Sequence, residues 1–166
     1  MNVIKEFKGE NHFLSNFHIA QQKASYNGRI ITYQSNEHFF QANKANNWEQ
    51  HLAIANAPAP WIAKRMGSKK GYKDFKVILR PDWEDIKINI MRIGLNCKFR
   101  QNPHLAKLLI ATNPARLEEG NWWYDDFWGI CLRKEIGSNW LGILLMELRN
   151  NLILGLSPLD QPTLYS

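Results

Sequence analysis

Cysteine is scarce in this chain. Cys97 and Cys131 are too few for a disulfide framework or a thiolate metal site, and neither has a His or Cys at ligand spacing, so both read as buried free thiols. The five histidines are scattered, with no His-x-x-x-His pair, and no metal is expected. No apolar run reaches the ~18 residues that span a bilayer, and Met-Asn-Val-Ile-Lys-Glu at the start lacks the basic and apolar regions of a signal peptide. The expectation is a cytoplasmic protein that does not enter a membrane. Internal repeats, a Walker loop, a Gly-x-Gly-x-x-Gly fingerprint and a Gly-x-Ser-x-Gly elbow are missing as well, so no cofactor is expected.

What is present describes a folded globule. The 166 residues fit one domain, and 45% hydrophobic residues, 12% aromatics and seven tryptophans supply a core. The net charge of +6 is unevenly placed. Lys64, Arg65, Lys69, Lys70, Lys73 and Lys76 stand against the single anion Asp74, a local +5. Such a segment is either plain soluble surface or a place for phosphates, in a small molecule or a nucleic-acid backbone. Its own aromatics, Tyr72 and Phe75, are too few for an extended stacking platform.

The predicted elements begin with a strand over Val3 to Phe7 and a loop over Gly9 to Phe17 anchored by Phe13 and Phe17. Asn27-Gly28 is a hairpin signal ahead of a β-branched run to Tyr33. Helices are expected from Ser35 to Asn46 and from Trp48 to Asn56, and Pro58 and Pro60 open a third that ends near Gly67. The longest should start at Arg80-Pro81 and reach Arg100, with Ile86, Ile90, Ile93 and Cys97 as its core stripe. A helix over 102–112, a strand over 116–119, a strand over 128–132 and a final helix from Asn139 follow, then a loose tail over 155–166. Between them, Gly120 to Gly129 is dense in aromatics with Asp125 and Asp126 adjacent. It is suited to gripping a planar ligand, or else to packing as a lid on the core.

The first helix carries the chemistry. With Ser35 as its cap, Glu37, Gln41 and Lys44 fall within about 60° of arc at 100° per residue. The flanks, Phe39, Phe40 and Ala42, are too apolar for a fully solvated helix, so the polar arc is expected to line a pocket.

A set of short motifs then points to a family. Phe13-Leu-Ser-Asn-Phe17, Ser35-Asn-Glu-His-Phe-Phe-Gln-Ala-Asn-Lys44, Ala63-Lys-Arg-Met-Gly67, Arg80-Pro-Asp-Trp-Glu84, Lys98-Phe99, Leu117-Glu118, Phe127-Trp-Gly129 and Asn139-Trp-Leu-Gly-Ile-Leu-Leu-Met-Glu-Leu-Arg149 together resemble the YbiA/NADAR family, in order, from about Ile4 to Leu152. The resemblance implies a compact, mostly helical α+β domain over 1–154 with a small N-terminal hairpin and short strands. It also implies hydrolysis of N-glycosidic bonds between a phosphorylated ribose and a base, whether in intermediates of riboflavin synthesis or in ADP-ribosylated guanine of nucleic acid. Carried over by motif, Glu37, Lys44 and Asp125 are the implied catalytic residues, Lys44 matching a lysine proposed to form a Schiff base with the ribose. Trp83, Trp128, Arg80, Gly129, Asn16 and Gln41 are the implied substrate contacts. Asp126 stands beside Asp125 as an alternative, and Trp140 departs from the family pattern, where a basic or small polar residue is common.

The residue types suit that chemistry. An amine attacks an opened sugar when it is uncharged; burial beside Phe40 or nearby cations lower its pKa, and an ion pair with Glu37 raises it. Glu37, in a first helical turn, is expected ionised, as a base or a holder of ribose hydroxyls, leaving Asp125 to move protons at the leaving nitrogen. Trp83 is either such a clamp or a plain core tryptophan. Two other classes remain open: a non-catalytic module for ADP-ribose or NAD-like ligands, and a nucleic-acid-binding protein working through the basic segment. How many chains assemble is likewise left open.

Overall fold

The computed structural model describes residues 2–158. In chain order the elements are strand β1 (Val3–Ile4), a 3-10 helix (Gly9–Leu14), β2 (Ile19–Tyr26), β3 (Arg29–Ser35), helices α1 (Asn36–Ala42), α2 (Trp48–Ala55), α3 (Pro60–Met66), α4 (Trp83–Arg100) and α5 (Pro103–Ala111), strands β4 (Arg116–Leu117), β5 (Gly120–Asn121) and β6 (Ile130–Cys131), and helix α6 (Trp140–Ile153). The architecture is α+β, helix-dominated, and the strands among the described residues pair two by two. Contacts divide it into two units, one running from Ser15 to Asn102, the other joining the N-terminal stretch up to Leu14 with everything from Pro103 onward.

In the 15–102 unit, β2 and β3 form the hairpin that Asn27-Gly28 announces. Both turn residues sit at positive φ, 49° and 75°, which is the conformation a two-residue hairpin turn requires. The hairpin's buried residues Ile31 and Tyr33 join Phe39, Ala42, Ile54, Ala55 and Ala63 from the three short helices, and Ala57 from the connection between α2 and α3, in one core. Helix α1 is buried along its whole length. It can lie on α4 because position 94 is glycine: a Cβ there would stand 2.2 Å from Asn36 Oδ1 and 2.6 Å from Phe39 Cδ1. Gln101, just past the end of α4, exchanges two hydrogen bonds with the backbone of Lys23, at 2.7 and 2.8 Å, and so ties the hairpin to it.

In the other unit β1 pairs in parallel with β4 (Val3 with Arg116, Ile4 with Leu117), and β5 in parallel with β6. Helix α6 packs on α5 and β4, burying Leu141, Leu144, Leu145 and Leu148 with Leu105, Leu109 and Leu117. Each leucine so buried contributes about 2 kcal/mol of hydrophobic stabilisation. Arg149 is buried among them and donates from Nη1 to Thr112 Oγ1 and to the Ala115 carbonyl.

Several expected boundaries are corrected. The first strand stops at Ile4 rather than Phe7, and the expected loop over 9–17 is helical from Gly9 to Leu14. Helix α1 ends at Ala42 rather than Asn46. Its last turn closes when Asn43 donates to the Phe39 carbonyl, and the next residues pair with 78–80 through Asn46 N to Ile78 O and Arg80 N to Lys44 O. Helix α4 starts at Trp83; Pro81 lies in the turn before it. Its buried stripe is Trp83, Met91, Gly94, Leu95, Lys98 and Phe99, whereas Ile93 is exposed and Ile86, Ile90 and Cys97 are half-buried. Both late strands are cut to two residues. Of the expected tail, 159–166 lies outside the described residues.

Candidate functional site

Ser35 caps α1 as expected, its Oγ accepting from His38 N at 3.4 Å. His38 Nε2 points at the Ala57 carbonyl (2.9 Å), which can only accept, so that nitrogen carries the hydrogen and Nδ1 receives the Ser35 hydroxyl at 2.8 Å. Burial holds the His38 pKa below its ordinary value, which keeps the ring neutral in this role. The other side of the first turn is held by Asn16, whose carbonyl accepts from Glu37 N at 3.0 Å and whose Oδ1 accepts from Asn36 Nδ2 at 2.8 Å. Asn16 thus fixes where Glu37 stands.

Glu37 and Gln41 lie one turn apart, each 5% exposed, and Gln41 Nε2 donates to Glu37 Oε1 at 2.8 Å. The first two members of the polar arc expected to line a pocket are therefore buried and joined to each other. Lys44 is off the helix, in the turn that follows it. Its half-buried amine donates to the Gly67 carbonyl at 3.3 Å and lies 5.5 Å from the ring centre of Phe40 and 5.7 Å from that of Trp83. Burial is the largest influence on this amine and lowers its pKa; Glu37 and Glu84 pull it up, Lys64 and Lys87 push it further down, and the net shift is downward. The opposition foreseen between desolvation and Glu37 is resolved in favour of desolvation.

Trp83 is buried, 5% exposed, its ring edge-on to Phe40 at 5.0 Å. It forms the wall behind Lys44. Arg80 is committed to Asp82 by two parallel bonds, Nε to Oδ1 at 2.6 Å and Nη2 to Oδ2 at 2.9 Å, so a phosphate at Arg80 has to compete with a bidentate carboxylate. Glu37, Gln41, Lys44, Trp83 and Asn16 are thus assembled around α1, with Arg80 hydrogen-bonded to the Lys44 carbonyl through its own backbone N–H.

Asp125, Trp128 and Gly129 belong to the other unit. Asp125 Oδ1 accepts from Trp128 N at 2.9 Å, and Asn121 brackets the same turn by accepting from Asp125 N and donating to its carbonyl. Asp126 is exposed. Position 129 is glycine because a Cβ would meet the Glu119 carbonyl at 2.1 Å. Of the aromatic run, Trp122, Trp123 and Tyr124 are about half exposed and do not form a packed lid. Cys131 is buried and Cys97 half-buried, both as free thiols.

Two features escaped the sequence reading. Gly67, expected only as a helix end and part of a motif, lies against Gln41 and accepts from Lys44. Trp61, 54% exposed on α3, lies 5.9 Å edge-on from Tyr72 beside the basic segment; its spacing of three and four from Lys64 and Arg65 is the signal that marks it. No described helix is long and apolar enough to cross a membrane, and no group of three metal-ligating side chains occurs among the described residues.

The helix-rich α+β fold is one that a solved relative shares. The profile of the NADAR domain matches residues 4–153, and the chain belongs to that family, among its YbiA-like N-glycosidases. It is 40% identical to the N-glycosidase YbiA of Escherichia coli K12 over 121 residues, covering 73% of this chain and 71% of that protein. The NMR structure of E. coli YbiA superposes with a TM-score of 0.77 at 33% identity, over 99% of this chain and 92% of that one. The riboflavin biosynthesis protein PYRR of maize, a chloroplastic protein, is 36% identical over 95% of this chain, which spans only 26% of its length.

Proposed function

We propose that the chain hydrolyses the N-glycosidic bond between C1 of a phosphorylated ribose and a base nitrogen. The observation that carries this reading is the half-buried amine of Lys44, set near Phe40 and Trp83 with its pKa held below the ordinary lysine value, in the turn that follows the helix of the Glu37–Gln41 pair. A lowered pKa raises the share of the neutral, nucleophilic amine.

The proposed sequence starts when the sugar ring of a ribosylamine opens, leaving C1 joined to the base nitrogen as an imine. Neutral Lys44 adds to C1, a proton passes to the base nitrogen, and the base leaves as a free amine while C1 becomes an imine of Lys44. Water then adds to C1 and the Lys44–C1 bond breaks, returning the amine and the sugar aldehyde. Glu37 holds a sugar hydroxyl or takes a proton in these transfers. The family resemblance gives Asp125 the proton of the leaving nitrogen and Trp128 a substrate contact.

The substrate is proposed from two classes. The relatives named for riboflavin biosynthesis favour a ribosylaminopyrimidine phosphate. A nucleic-acid-borne base, as in ADP-ribosylated guanine, is favoured by the exposed Trp61, with the half-buried Tyr72 edge-on to it, next to the cations of 64–76. Incubating the protein with ribosylaminopyrimidine phosphate, with an ADP-ribosylated guanine oligonucleotide and with ADP-ribose, and weighing the products for free base, separates the classes. Base release from one of the first two, lost in Lys44→Ala, supports the reading. Tight binding of ADP-ribose with no base released from any substrate overturns it in favour of a binding module. Should the oligonucleotide be the substrate, four or five neutralised phosphates give a slope of log affinity against log salt of roughly −3.

A further inference from the structure

Position 67 is glycine for a reason its backbone does not supply. Gly67 ends α3 at φ −79° and ψ 1°, a conformation open to any residue. A Cβ there, however, would stand 2.1 Å from Gln41 Oε1 and 3.0 Å from Gln41 Cβ and Cδ. Turning the Gln41 amide over gives no relief. An ionised Glu37 only accepts, so the Nε2 end must face it and the Oε1 end must face Gly67. Oε1 is buried there with no hydrogen-bond partner among the described residues. The carbonyl of the same Gly67 receives the Lys44 amine.

We infer that Gly67 is a positioning residue whose missing side chain is the functional feature: its bare Cα admits the Gln41 amide and keeps it on Glu37, while its carbonyl receives the Lys44 amine. The inference rests on the proposed roles of Lys44 and Glu37. A methyl group at 67 meets the far end of a side chain, which can swing aside. The fold survives that swing; the Gln41–Glu37 bond does not. Glu37, released from Gln41, then acts more strongly on Lys44 and favours its charged form.

The test compares Gly67→Ala, Gln41→Ala and the double variant with the wild type. Three readouts are taken: thermal melting, the pH profile of base release, and the pH profile of Lys44 labelling by trace acetic anhydride, read by peptide mass spectrometry. Gly67→Ala is expected to melt near the wild type and to lose about tenfold to hundredfold in kcat/KM. The acid limb of its rate profile and the Lys44 labelling profile should both move to higher pH. Because the three atoms a methyl group at 67 meets first all belong to Gln41, the double variant should match Gln41→Ala in rate and labelling. A wild-type rate and labelling profile in Gly67→Ala overturns the inference, as does an equal fold-loss from Gly67→Ala in the Gln41→Ala background. If Gly67→Ala alone unfolds, the double variant decides: folding with the Gln41→Ala profile supports the inference, and failure to fold overturns it. If the wild type releases no base from any substrate, the N-glycosidase reading falls, yet labelling needs no turnover and still decides the positioning role.

Discussion

Lys44 Nζ stands 5.5 Å from the centre of the Phe40 ring, and Phe40 is itself buried. The amine thus faces a ring where an ordinary lysine faces water, and burial holds its pKa below 10.5. Between that lowered value and 10.5 the unfolded chain binds the proton and the folded chain does not, so stability rises with pH in that window; at lower pH the buried ammonium is a constant cost. Base release should rise with pH through the same lowered value, since only the neutral amine attacks.

Lys44→Met follows from this. It removes a desolvated charge and keeps an apolar stem against Phe40 and Trp83, so the melting temperature should equal or exceed that of the wild type. Activity should vanish at every pH. Calorimetry and base release on one preparation check both, and a Lys44→Met variant that still turns over ends the imine route.

His51 predicts an acid sensitivity separate from the chemistry. It is fully buried, its Nε2 lies 2.7 Å from Tyr33 Oη, and Tyr26 stacks on it at 3.6 Å. Burial pushes its pKa from 6.5 down to about 4. The unfolded chain therefore binds a proton that the folded chain refuses, and stability is lost as pH falls from 6.5 through 4, by roughly 3 kcal/mol in all. Urea midpoints measured across that range should fall toward acid, and His51→Gln, which keeps an acceptor for Tyr33, should flatten the decline.

How far these features could be read beforehand differs by element. The hairpin turn and the Ser35 cap were legible because Asn-Gly and a capping serine act through their own backbone neighbourhood. Where α1 ends was not, because the pairing of Ala45 with Leu79 that captures the chain is a contact across 34 positions, invisible to local propensity. The α4 stripe was misread because its buried face includes Gly94 and Lys98, the latter hiding its ammonium on the Ser15 carbonyl at 2.8 Å, while an apolar pattern counts neither. Spacing and family motif alike single out Glu37, Gln41 and Lys44, which the structure gathers about α1, although Lys44 reaches its place from a turn. The bidentate hold of Asp82 on Arg80 was open to inspection in the sequence at a separation of two, yet its geometry was not.

Arg149 tests the packing of the other unit. Its Nη1 serves Thr112 Oγ1 at 2.9 Å and the Ala115 carbonyl at 2.8 Å, at a site where Ala115 is 3% exposed. Arg149→Met leaves that carbonyl buried without its charged donor, at a cost of about 3 kcal/mol. Arg149→Lys should recover only part, since a single ammonium on a narrower stem does not reproduce the planar fork. Urea denaturation should rank wild type above the lysine variant and the lysine variant above methionine.

Asp125 and Asp126 can be separated by their backbone duties. Asp125 Oδ1 accepts from Trp128 N at 2.9 Å, so alanine at 125 loosens the turn that carries Trp128 and Gly129, and a loss of activity there would say nothing about proton transfer. Asparagine retains an oxygen to accept that bond and removes only the titratable carboxylate. If Asp125 moves the proton of the leaving nitrogen, Asp125→Asn should melt as the wild type does and release base at least about 100-fold more slowly. Asp126, exposed and outside that turn bond, should tolerate asparagine with a near-normal rate. The reverse ranking would move the acid one residue along the chain and leave Asp125 as the brace of the Trp128 turn.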